Sequence, residues 1–172
     1  MSTNVIRPDM ADVEKLAVAM RVAPDIVQDE LRGFVSAVTN HMQKEVTDRV
    51  PTTHGTLRAS IIGNFRPLPG LGFEGVVGTS LSYAIPVELG TKPHMPPVQP
   101  LVEWARQKLG VSGKEAERAG WGIARKIARQ GTKGHFMFAD AFSANEAQVV
   151  SGFGECVSRI ERRIAADGSA KN

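Results

Sequence analysis

The chain is expected to adopt an α+β fold: a small antiparallel β-sheet packed by a long N-terminal helix and a C-terminal helix, with a basic helical pair inserted. Three patterns predict it. Apolar residues recur at three- and four-residue steps over 27–46, the period drops to two over 57–65, and helical spacing returns over 147–164. A length of 172 residues suits one domain spanning 1–172, large enough to bury a core.

Asp9 to Met20 reads as a short helix with Val13, Leu16, Ala17 and Met20 on one side. Pro24 suits the first residue of a second helix, where its missing N–H costs nothing. That helix runs to about Arg49, before Pro51, and carries Val27, Leu31, Phe34, Val35, Val38, Met42 and Val46 on one face. Each side chain contributes about 1.5–3 kcal/mol when fully buried, so the face must lie on something. Leu57, Ala59, Ile61, Gly63 and Phe65 then alternate with Arg58, Ser60, Ile62, Asn64 and Arg66, the repeat of a strand. With a turn at Pro67–Gly72 and a return strand ending at Thr79, a hairpin over 57–66 and 72–79 is expected. Two strands alone are marginal in water, so further strands are expected from this chain or another.

Val98 to Leu109 reads as a helix stopped by Gly110, and Lys114 to Gln130 as a second with a stripe of Ala116, Ala119, Ile123, Ala124, Ile127 and Ala128. Residues 98–130 then form an inserted arm. Met137 to Phe142 makes a short helical piece. Ala144 to Ala166 makes the last helix, with Ala147, Val150, Phe153, Val157, Ile160 and Ile164 on one face and 166–172 as a flexible tail.

Composition narrows the function classes. The N-terminal residues lack the apolar core of a secretion signal, and no run approaches the ~18 uninterrupted apolar residues of a membrane span. Synthesis in a cytoplasm and no membrane partner are expected. The lone Cys156 lies on the apolar side of a helix and reads as a buried, inert thiol. Charge is segregated. Between Trp104 and His135 eight cations face two carboxylates, net +6, while thirteen cations and sixteen carboxylates elsewhere give −3. Such a block suits a polyanion or an acidic copy of the same chain.

No catalytic or cofactor constellation presents itself. Gly70, Gly72 and Gly75 match the spacing of a dinucleotide fingerprint, but a strand follows where the fingerprint needs a helix N-terminus. Gly110 to Lys114 lacks the spacing of a phosphate loop. His41, His54, His94 and His135 show no metal-ligand spacing; His94 and His135 could meet through echoed turns in a shared site, but turn histidines capping backbone groups or lying at an interface are the better reading. Glu88 and Asp140 could pair as carboxylates, but a salt link to Lys or Arg is the better reading. Catalytic residues, cofactor, metal and small-molecule substrate are all expected to be none.

The segment from Val77 to Pro97 carries most of the specific signal. It joins a strand to a tight Gly90-Thr91-Lys92 turn and a stiff extended run through Pro93, Pro96, Pro97 and Pro100. The turn is echoed by Gly131-Thr132-Lys133, which implies two equivalent turns flanking the helical pair. Thr56-Leu57-Arg58-Ala59-Ser60-Ile61, Gly75-Val76-Val77-Gly78-Thr79, Tyr83-Ala84 with Val87-Glu88 and Gly90-Thr91, and Pro97 with Pro100-Leu101 follow in order. Together they resemble the neck or tail-completion proteins of long-tailed bacteriophages, often described as minor tail components. Residues 131–141 resemble the family's later loop, leading into the C-terminal helix. The resemblance spans roughly Thr53 to Phe142.

The resemblance implies a non-enzymatic virion protein at the head–tail junction, made in the host bacterial cytoplasm. It would assemble with itself into a ring, sixfold or twelvefold, and contact connector and tail proteins and the packaged DNA. Tyr83, Glu88, Gly90, Thr91, Lys92, Pro93, His94 and Pro97 are the expected subunit or neck contacts. Replacing Gly90 by Val is expected to block incorporation into virions and spare the fold. Arg118, Arg125, Lys126, Arg129 and Lys133 are expected to face DNA or an acidic partner. Two other readings stay open: a tail-terminator or tail-assembly protein, and a DNA-binding accessory module using the basic helix.

Overall fold

The apolar face expected over 24–49 belongs to a single helix that begins earlier. In the computed structural model, which describes residues 10–51, 55–70 and 72–169, helix α1 runs from Met10 to Arg49 without a break at Pro24. The elements that follow are α2 (Gly55–Ser60), β1 (Ile62–Pro67), β2 (Phe73–Gly78), α3 (Ala84–Leu89), β3 (Gly90–Thr91), α4 (Val98–Leu109), α5 (Gly113–Gln130), β4 (Thr132–Lys133) and α6 (Met137–Ser169). The fold is α+β, mostly helical around a small antiparallel hairpin. The chain divides into two compact units, one holding α1 to Arg49, Ile61–Gly78 and the chain from Asp140, the other Val50–Ser60 and Thr79–Ala139.

In the first unit β1 and β2 pair antiparallel from Ile62↔Gly78 to Pro67↔Phe73. Phe65 and Phe73, diagonal neighbours, stack with centroids 5.4 Å apart. The hairpin lies on α1 so closely that a Cβ at Gly75 would collide with the Thr39 hydroxyl. Gln43 Nε2 donates to the Ile61 carbonyl at 3.0 Å, fixing the strand's entry. Helix α6 runs along α1, joined by Phe34 against Phe153 at 5.8 Å and by Arg159 on Glu30 at 2.9 Å. Asn145 is buried on this seam. Its Nδ2 donates to the Ala141 carbonyl and to Glu45, and its Oδ1 lies 2.8 Å from His41 Nε2, so that nitrogen carries the proton.

In the second unit α4 and α5 form a tight pair. Val102 and Ala105 meet a buried stripe of Ala116, Gly120 and Ala124, and a Cβ at Gly120 would lie 2.9 Å from the Val102 nitrogen. Gly110 ends α4 in the left-handed conformation, as expected of a glycine stop.

Several expected boundaries move. Pro24 sits inside α1, not at a helix start. Its ring removes one backbone hydrogen bond, but Pro24 and Met20 are both exposed, so solvent can take the freed carbonyl. Residues 57–60 are helix, and the strands are 62–67 and 73–78, where 57–66 and 72–79 were expected. Leu57 and Ile61 fit an alternating pattern but are also one helical turn apart, and both are buried. The short piece over 137–142 and the last helix are one element, because nothing around Ser143 breaks it. That helix continues to Ser169, so the expected tail is helical to that point, and 170–172 lie outside the described residues, as does His54. The further strands exist as β3 and β4, but they pair with each other and not with the hairpin.

Candidate functional site: the paired Gly-Thr-Lys turns

The two echoed turns meet. β3 and β4 pair antiparallel with Gly90 opposite Lys133 and Thr91 opposite Thr132. The arrangement is locally two-fold. Gly90 has φ 76° and ψ −174°, Gly131 has φ 71° and ψ −159°, a region essentially reserved for glycine. A Cβ on Gly90 would strike the Thr132 carbonyl oxygen, and one on Gly131 the Thr91 carbonyl oxygen. On the axis the Thr91 and Thr132 hydroxyls are 3.0 Å apart, and the Thr132 amide donates to Thr91 Oγ1 at 3.1 Å. These interactions close the excursion that carries α4 and α5.

Helix α3 anchors one side of this clasp. The His135 and Phe136 amides donate to the Val87 and Glu88 carbonyls at 2.9 and 3.0 Å. Phe136 takes a positive φ of 49°, which turns the chain into α6. The Glu88 carboxylate then receives the Phe138 and Ala139 amides at 3.1 and 3.0 Å. Glu88 therefore caps the N-terminus of α6, where its charge also meets the positive end of the helix dipole. This corrects the sequence reading of a carboxylate pair or a salt link to Lys or Arg. On the approach to α3, the Thr79 hydroxyl lies 2.6 Å from that of Ser60 and accepts the Leu81 amide.

The surface this scaffold presents is apolar. Ile85 and Leu89, one turn apart on α3, are each 65% exposed, and Tyr83, Met95 and Phe136 are exposed as well. Lys92, Pro93, His94 and Pro97 are exposed, while Glu88, Gly90 and Thr91 are half-buried. His94 Nδ1 lies 3.0 Å from the Lys92 carbonyl, so this turn histidine engages its own backbone. Pro97 precedes the first residue of α4 in an extended conformation.

The basic set divides. Arg118, Arg125, Lys126 and Arg129 lie exposed along α5, but Lys133 belongs to β4, opposite Gly90, and so joins the clasp. The sequence reading missed Gly131 as the partner of Gly90, Phe136 as the strained link, and the α6 amides as ligands of Glu88. The echo of Gly-Thr-Lys was the available signal for the first of these. The expectation that Gly90→Val spares the fold does not stand, because a side chain there meets both a forbidden φ and the Thr132 carbonyl.

Cys156 is fully buried, and desolvation pushes its thiol pKa up, away from the thiolate needed for reactivity. Among the described residues no three His, Cys, Asp or Glu side chains gather as metal ligands, and no helix is long and apolar enough to cross a membrane. Comparison with family models, curated proteins and solved structures finds no match to this chain.

Proposed function

We propose that the chain is a structural, non-enzymatic component of a tailed-bacteriophage virion, a neck or tail-completion subunit that helps join head to tail as part of a ring. The resemblance of residues 53–142 supplies the class. One observation supports it physically: a clasp that only glycine permits at two symmetric positions holds Ile85 and Leu89 in solvent. A helix whose backbone is already fixed by the clasp has less ordering entropy left to lose when its exposed apolar side chains associate. Head-to-tail contacts between unlike surfaces close into rings when the rotation allows.

Electron microscopy of lysates from a phage lacking the gene, with plasmid complementation as control, tests this reading. Filled heads beside separate tails of normal length are expected. Intact infectious particles would overturn it, and tails of uncontrolled length would assign termination in its place. Complementation with Ile85→Asp/Leu89→Asp should fail although the variant folds. This pair replaces Gly90→Val as the informative variant, because both side chains already lie in solvent.

A further inference from the structure

Helix α5 carries a second surface of different chemistry. At about 100° per residue, Lys114, Arg118, Trp121, Arg125 and Arg129 fall within an arc of roughly 80° and extend over about 22 Å of helix. All five are exposed, Trp121 by 46%. Lys126 is exposed beside them. The helix's two carboxylates, Glu115 and Glu117, are confined to its first turns and lie outside that arc. Among the described residues none of these cations forms an ion pair. The opposite side of α5 packs on α4 through Ala116, Gly120 and Ala124, which fixes the side that the cations present to solvent.

We infer that this face of α5 binds the phosphate backbone of nucleic acid. The competing occupant, the acidic unit of a second copy, offers a poorer match. Its Glu30 is engaged by Arg159 and Arg163, its Glu45 by Arg49 and Asn145, and its Glu74 by Arg66. Exposed Asp25 and Asp29 on α1 share their face with Arg21 and Arg32. On α6 the exposed carboxylates Asp140, Glu146, Glu155 and Glu161 are spread over about half of its circumference, with Arg162 and Arg163 beside the last. A row of cations with no interspersed carboxylate instead matches a uniformly anionic chain. Three of the five residues are arginine, whose fork of donors suits phosphate oxygens. Trp121 in the row gives an unpaired base or a sugar an apolar contact. This inference is independent of the virion reading, because none of these residues belongs to the clasp.

The test uses the full chain carrying Trp104→Phe, which leaves Trp121 as the only tryptophan. Its fluorescence is followed while duplex and single-stranded DNA of about 30 nucleotides are titrated at salt concentrations from about 50 to 200 mM. Binding should perturb Trp121, and log K should fall linearly with log salt. Arg118→Gln/Arg125→Gln/Arg129→Gln should lower the magnitude of that slope by roughly three, at about 0.9 for each phosphate no longer neutralised, and weaken binding at least tenfold. The corresponding Lys variant should keep the slope. Arg125→Gln alone, should the triple variant fold poorly, should lower it by about one. No binding at about 50 mM salt would overturn the inference. So would an unchanged slope in the Gln variants, or equal affinity for polyglutamate of matched charge, which would assign the face to an acidic protein.

Discussion

Gly90 and Gly131 set the conformation of the clasp by what they lack. Each has a φ above 70° and each faces the other turn's threonine carbonyl, so any side chain meets strain and collision together. Gly90→Ala and Gly131→Ala should each destabilise the fold by about 1–3 kcal/mol or more. For a chain of this size that lowers the melting temperature by roughly 2–4 °C per kcal/mol. Gly33 provides the contrast. It is exposed within α1, has an ordinary helical φ, and nothing lies within 4 Å of the site of its missing Cβ. Gly33→Ala should stabilise by about 0.5–1 kcal/mol. Melting curves of the three variants, read together, check the argument. A Gly131→Ala protein as stable as the parent would mean that the Gly-Thr-Lys pairing is not what holds the turns.

At the scale of elements, α1 and α6 are held along their length by unlike interactions, and two of them titrate. Hydrogen bonds from Arg159 and then Arg163 hold the Glu30 carboxyl below its ordinary value of 4.5, outweighing the opposing effect of burial. Glu45 is lowered as well, first by Arg49 and then by Asn145. A depressed folded-state pKa stabilises the fold above the unfolded value, and that contribution is lost as the pH falls through the folded value. The parent should therefore lose stability on acidification below about pH 4.5, and Glu30→Gln/Glu45→Gln should show a flatter dependence there. Denaturant titrations from about pH 3 to 7 measure the difference. These elements also show what the sequence disclosed. The helical periods of α1, α4 and α5 were legible because each buries a face. The α6 segment is helical as expected, but of the face expected to be covered there Ala147, Val150, Phe153 and Val157 are exposed, and the helix buries Met137, Ala141, Asn145 and Cys156 instead. Helix ends were less so: Pro24 is tolerated where solvent covers the break, and Ser143 is no barrier to a helix. The segment 57–61 failed because Leu57 and Ile61 satisfy periods of two and of four alike. The cap made by Glu88 was illegible, since its partners are backbone amides fifty residues away that no side-chain pattern announces.

For the whole molecule, the distribution of apolar side chains sets the strongest constraint. Among the described residues sixteen large apolar side chains are exposed, while the buried hydrophobic set contains only eight side chains larger than alanine or cysteine. Scattered exposed leucines need no explanation, but here they cluster. Ile85 and Leu89 share a face of α3, and in the other unit Phe142 and Val150 border a groove of about 510 Å³ with Val38, Met42 and Val149. Charge follows the same partition, with ten cations against four carboxylates in the unit holding the clasp and eleven against fourteen in the other. A chain built this way should expose ordered apolar surface before it is assembled. The purified protein should bind a hydrophobic fluorescent dye near neutral pH while keeping the near-ultraviolet circular dichroism of its tryptophans, which separates native patches from a loosened core. Ile85→Asp/Leu89→Asp should reduce the dye signal, while the fold's stability moves by no more than about 0.5 kcal/mol, as for other surface substitutions. If the variant melts much earlier, α3 owes its stability to those side chains and they are not free for a partner. If dye binding is unchanged, the exposed surface that matters lies elsewhere, and the groove beside Phe142 becomes the place to substitute next.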